Sequence, residues 1–66
     1  MHDFKVGDSV MFKEGREYDG QVVKLGVKNK NIVKVEVYDW DKEEFYYVWM
    51  HKAELTYQGS GEWNPA

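Results

Sequence analysis

Ile32-Val33-Lys34-Val35-Glu36-Val37-Tyr38-Asp39-Trp40, then Asp41-Lys42-Glu43-Glu44, then Phe45-Tyr46-Tyr47-Val48-Trp49-Met50 is the stretch that decides the fold. Its first part alternates strictly, with Val33, Val35 and Val37 on one side and Lys34, Glu36 and Tyr38 on the other. That period of two is the signature of a half-buried β-strand. Its last part is an apolar run of six residues, bounded by Glu44 and His51. A hairpin joins the two parts, and the length of its loop sets which side chains face inward. With Asp41-Lys42 or Trp40 to Glu43 as the loop, Asp39 lies opposite Glu44 and Val35 opposite Val48. The core face is then Tyr46, Val48 and Met50, while Phe45, Tyr47 and Trp49 look outward beside Tyr38, Glu36 and Lys34. A three-residue loop would turn every side chain over. The first register is preferred because it leaves His51–Glu54 room for one short helical turn before a last strand, Leu55–Gln58.

Working outward, the other segments also read as strands, and nowhere does an i, i+3, i+4 apolar pattern persist. Phe4-Lys5-Val6-Gly7-Asp8 is an extended arm ending in a turn, with Gly7 suited to positive φ. Strand one is Ser9–Lys13, with Val10 and Phe12 inward. Glu14–Gly20 reads as a long polar loop. Strand two is Gln21–Val27, with Val23 and Leu25 sharing a face. Lys28-Asn29-Lys30-Asn31 is a tight turn, since asparagine tolerates the left-handed region. Residues 1–58 form one domain, and 59–66, with Gly59 and Gly61, read as a flexible tail. Trp63 is the tail residue suited to docking on a surface.

Length and composition restrict the function. A chain of 66 residues with no cysteine holds one small core, without disulfides or a cysteine-based zinc site. Met1-His2-Asp3-Phe4-Lys5 has no apolar run behind it and does not read as a signal peptide. No apolar run is long enough to cross a bilayer, so a cytoplasmic location is expected. The net charge of −3 argues against a general nucleic-acid coat. Yet the charge is divided. Lys24, Lys28, Lys30 and Lys34 precede a segment rich in acids: Glu36, Asp39, Asp41, Glu43 and Glu44. Catalytic chemistry finds no footing. His2 and His51 have no cysteine for company, and Ser9, Thr56 and Ser60 have no base nearby in sequence. The chain is read as no enzyme, with no cofactor and no metal. The acidic segment lacks the glycine and closing glutamate of a calcium loop.

Val6-Gly7-Asp8-Ser9-Val10-Met11-Phe12, with Gly20-Gln21-Val22-Val23-Lys24-Leu25, resembles the start of KOW and Tudor-like domains of the SH3-like barrel class. Tyr46-Tyr47-Val48 and Ala53-Glu54-Leu55 are similar to their closing strand and short helical turn. The resemblance implies an all-β, five-stranded SH3-like barrel with one short helical turn before the last strand. Its quoted positions are turn and core positions, so it speaks to fold more than to function. Tudor-like folds build methyl-lysine cages from loop-borne rings. Here Trp40 beside Asp39 and Asp41 has the chemistry of a cage, but the other rings lie along strands.

The functional expectation rests on the aromatic surplus. Trp, Tyr and Phe make up 17% of the chain, and strand four places rings on both of its faces. One tiny core cannot hide them all, and Trp and Tyr dominate binding hot spots. The expected activity is non-catalytic binding of another protein, as a small adaptor or an inhibitor of the phage type. The surface is Tyr38, Asp39, Trp40, Asp41, Glu43, Glu44, Phe45, Tyr47 and Trp49. Its carboxylates suit a partner with a basic groove, and self-association is a second use of the same rings. The alternative is a KOW-like contact with nucleic acid through Lys24, Lys28, Lys30 and Lys34. No membrane partner is expected.

Overall fold

In a computed structural model, the structure describes residues 4–60, with no side-chain description at Ser60. The expected tail beyond Ser60, Trp63 included, lies outside the described residues. The chain forms β1 (Asp8–Glu14), β2 (Arg16–Leu25), β3 (Ile32–Asp39), β4 (Glu44–His51), one 3-10 turn (Lys52–Glu54) and β5 (Thr56–Ser60). The five strands make a single antiparallel sheet in the order β4-β3-β2-β1-β5. The all-β architecture expected from the sequence is present, with its short helical turn before the last strand. Among the described residues no helix is long and apolar enough to cross a membrane.

Alternation explains the core. Val10, Val22, Val33, Val35 and Val37 are fully buried, and Phe4, Phe12, Met50 and Leu55 close around them. These β-branched side chains pack on the pleated inner face of the sheet, where their stiffness costs little. The register of β3 on β4 is the expected one. Val35 pairs with Val48 and Asp39 with Glu44, across a loop from Trp40 to Glu43. The arm is tied down at Asp8, whose carboxylate accepts from the Lys5 amide at 2.8 Å while its own amide donates to the Lys5 carbonyl. Gly7 has φ +99° as expected, and its amide donates to the Val22 carbonyl.

Elsewhere the sequence reading is corrected. Glu14–Gly20 is no loop. The chain reverses at Gly15, which takes φ +81°, and β2 starts at Arg16. Phe12 then pairs with Tyr18, and the two rings stack with centroids 5.1 Å apart. The polar residues Glu17 and Asp19 are the solvent side of this hairpin, which hid its alternation. Strand two ends at Leu25 rather than Val27, and its buried residue is Val22, while Val23 and Leu25 do not share a face. A register shift between Val22 and Lys24 makes Val23 the extra residue of a bulge, which resets the alternation. The turn expected at 28–31 belongs to a longer loop, 26–31. Neither asparagine takes positive φ; the Asn29 side chain instead accepts from the Asn31 amide at 2.9 Å. Strand three stops at Asp39, leaving Trp40 in the turn. The last strand starts at Thr56, after the buried Leu55, and runs on to Ser60, past the expected end at Gln58.

Candidate functional site: the outer face of the β3–β4 hairpin

Three cross-strand pairs build the site: Lys34 with Trp49, Glu36 with Tyr47, and Tyr38 with Phe45. All six side chains point away from the core, because their neighbours Val33, Val35 and Val37 point into it. Each pair makes a direct contact or sits beside one. The Tyr47 hydroxyl donates to Glu36 Oε2 at 2.9 Å, and Lys34 Nζ lies 5.0 Å from the Tyr47 ring centre. Tyr38 meets Phe45 edge-on at 4.9 Å and Trp40 edge-on at 4.7 Å. Edge-to-face rings at these separations hold one another in place. Trp40 is 53% exposed, Phe45 47%, Tyr47 55% and Trp49 48%, so the assembled rings still present about half their surface to solvent.

The carboxylates at the tip divide into roles that sequence alone did not separate. Asp39 Oδ1 accepts from the amides of Asp41 and Lys42, so this residue caps the turn. Asp41 takes an ion pair with Arg16 across to the β1–β2 hairpin, at 2.6 Å. Glu43 holds φ +54°, the left-handed residue that lets the loop return into β4. Glu44 is exposed at the start of β4. The expected residues are therefore gathered on one hairpin, but Asp39 is committed to shaping it.

Arg16, Tyr18 and Tyr46 are site neighbours that the sequence reading missed. Arg16 sits 5.4 Å over the Tyr18 ring while it holds Asp41. The hydrogen bond and charge of Asp41 keep the Arg16 guanidinium protonated beyond its usual range. Tyr46 lies on the inner face near the same end; burial, then the nearby Tyr18 and Asp39, pushes its phenol up. Once Glu14–Gly20 is read as strand, Arg16 and Tyr18 become alternate positions of β2. That alternation was the available signal.

The four lysines belong to one hairpin: Lys24 and Lys34 flank the β2–β3 turn whose loop carries Lys28 and Lys30. Lys24 and Lys34 stand directly opposite each other on β2 and β3, on the aromatic face. Lys28 is exposed in the 26–31 loop. Lys30 lines a cleft with Phe4, Lys5, Leu25, Gly26 and Lys52. His51, the histidine within the described residues, serves the backbone, since its Nδ1 accepts from the Ala53 amide and caps the 3-10 turn. Among the described residues no group of three or more His, Asp or Glu side chains is placed to hold a metal ion. No family model, curated protein or solved structure matches the chain, so the meaning of this face rests on its own residues.

Proposed function

We propose that the chain is a non-catalytic protein-binding module, an adaptor or small inhibitor that captures its partner on the outer face of the β3–β4 hairpin. The observation that carries this reading is the contiguous row of half-exposed rings: Trp40, Phe45, Tyr47 and Trp49. Four such side chains expose on the order of several hundred Å², the upper range for one patch on a monomer. Asp41, Glu43 and Glu44 rim the row at one end, which suits a partner that offers a basic groove around an apolar floor. Recovery of protein partners from lysate on immobilised chain, with and without nuclease, tests the reading. The expected result is the same partner in both, lost on Trp40→Ala/Trp49→Ala while circular dichroism stays unchanged. Loss of capture on nuclease treatment would overturn it.

One observation favours a second reading, a KOW-like contact with nucleic acid. Lys24 and Lys34 share the face with Tyr47 and Trp49, a mixture of cations and rings that suits phosphates and stacked bases. Under this reading capture is nuclease-sensitive, and Lys24→Glu/Lys34→Glu weakens it more than Lys28→Glu/Lys30→Glu in the adjoining loop.

A further inference from the structure

The two edges of the sheet differ. β5 is guarded: it is short, its pairing with β1 slips between Ser9 and Val10, and Gly59 takes φ +137°. Such irregularities keep an edge from accepting another strand. β4 has none of them. It runs for eight residues in unbroken register with β3, from Ile32↔His51 to Asp39↔Glu44. Its sequence, Glu44-Phe45-Tyr46-Tyr47-Val48-Trp49-Met50-His51, contains no lysine, proline or glycine, and its inward positions Tyr46, Val48 and Met50 carry no charge. Tyr46 remains 37% exposed although it faces the core side. Among the described residues β4 pairs with β3 alone, so one row of its backbone donors and acceptors faces outward.

We infer that the β4 edge pairs antiparallel with β4 of a second copy of this chain, about a two-fold axis at Val48. Charge selects that occupant. One carboxylate, Glu43, stands just before β4 and another, Glu44, opens it, while Lys52 follows its last residue. An antiparallel pair therefore lays the acidic end of each copy along the basic end of the other. Side chains directly opposite must share a face, so the axis has to pass through a residue and not between two. With Val48 at the axis, Tyr47 lies opposite Trp49 of the second copy, Phe45 opposite His51, Tyr46 opposite Met50 and Glu44 opposite Lys52. With Tyr47 at the axis, Glu44 would face Met50 and lose its charged partner. The Val48 register also joins the two aromatic faces into one surface, since Tyr47 and Trp49 both point outward. The contact is self-complementary and closed, so it stops at two copies. Main-chain hydrogen bonds supply its affinity and the side-chain pairs its register.

This inference does not rest on the protein-binding reading: the edge and the outer face are different surfaces of β4, and edge pairing leaves the face open. Sedimentation of the purified full chain over a range of concentrations tests it. The expected result is a reversible dimer. Glu44→Lys alone and Lys52→Glu alone each set like charges together twice, and raise the dissociation constant by about tenfold. Mixing the two variants in equal amounts restores the dimer, because each reversed side chain then meets the other. A chain that stays monomeric, as it would if the edge served a strand of a different protein, overturns the inference. So does a dimer indifferent to both substitutions, or one that mixing fails to restore. If Lys52→Glu does not fold, amide exchange of the unmodified chain reads the same contact. Protection along β4 that grows with concentration supports the pairing, and unchanged protection overturns it.

Discussion

Arg16 and Asp41 lie 25 positions apart in sequence, yet a guanidinium nitrogen and a carboxylate oxygen meet at 2.6 Å and tie the tips of two hairpins together. Arg16 follows the Gly15 reversal and Asp41 sits in the β3–β4 turn. The same turn is capped from within by Asp39, so two carboxylates fix it from opposite sides.

The pair holds local order more than it holds the fold, since exposed ion pairs contribute little to global stability. Arg16→Ala and Asp41→Ala are each expected to speed amide exchange at Asp41 and Lys42 while leaving the melting temperature nearly unchanged. The double variant is expected to match either single one, because both remove the same contact. Additive effects would show that the two side chains act separately.

The inner face makes a sharper prediction. Val35 is fully buried, so Val35→Ala is expected to cost on the order of 2 kcal/mol, read from the denaturant midpoint. Val27 is 81% exposed, and Val27→Ala is expected to cost almost nothing. Gly20 belongs with the core. A Cβ there would stand 2.6 Å from the Glu36 carbonyl oxygen and 2.7 Å from Val35 Cγ1, so Gly20→Ala is expected to destabilise by about 1–3 kcal/mol. If Val35→Ala and Val27→Ala cost the same, the placement of the core is wrong.

These residues also mark how far the sequence could be read. Val33, Val35 and Val37 alternate without interruption, and the run after them is apolar, so the β3–β4 register followed from period and loop length. Val22 could not be found that way, because the bulge at Val23 shifts the period in mid-strand. Arg16 to Gly20 looked like a loop because a hairpin with one solvated side carries as many charges as a loop does. The rings of the site were legible as an excess over what one core can bury. The division of labour among the carboxylates was not, since Asp39 and Asp41 differ in their partners and not in their chemistry.

The Tyr47 phenol is held up above the ordinary tyrosine value, first by its hydrogen bond to Glu36 and then by that carboxylate's charge. The protonated phenol is therefore the form the fold favours. Its contribution is fully present below the unfolded tyrosine value and is lost as pH rises through the higher folded value. Ultraviolet titration is expected to show two tyrosines, Tyr46 and Tyr47, ionising later than usual. In Glu36→Ala the Tyr47 step moves down toward the ordinary value, with the Tyr46 step, raised mainly by burial, left in place. A titration identical to that of the unmodified chain would mean that Glu36 does not hold Tyr47 in solution.

Lys24 and Lys34 bear like charges directly across the β2–β3 ladder, an arrangement that costs stability in a sheet. Lys34 is partly relieved by the Tyr47 ring beneath its ammonium group, but Lys24 is exposed to the repulsion. Lys24→Glu turns the pair attractive and is expected to raise stability by roughly 0.5 kcal/mol, seen as a higher denaturant midpoint. A midpoint that stays or falls would place the two ammonium groups too far apart to interact. The same variant separates the two functional readings. A protein partner held by Trp40 and Trp49 is expected to bind it nearly as before. A nucleic-acid partner loses a phosphate contact, so its binding weakens at low salt and the salt dependence becomes shallower by about one counterion. Greater stability together with weaker retention of single-stranded nucleic acid would mean that this face keeps two lysines side by side for a phosphate backbone.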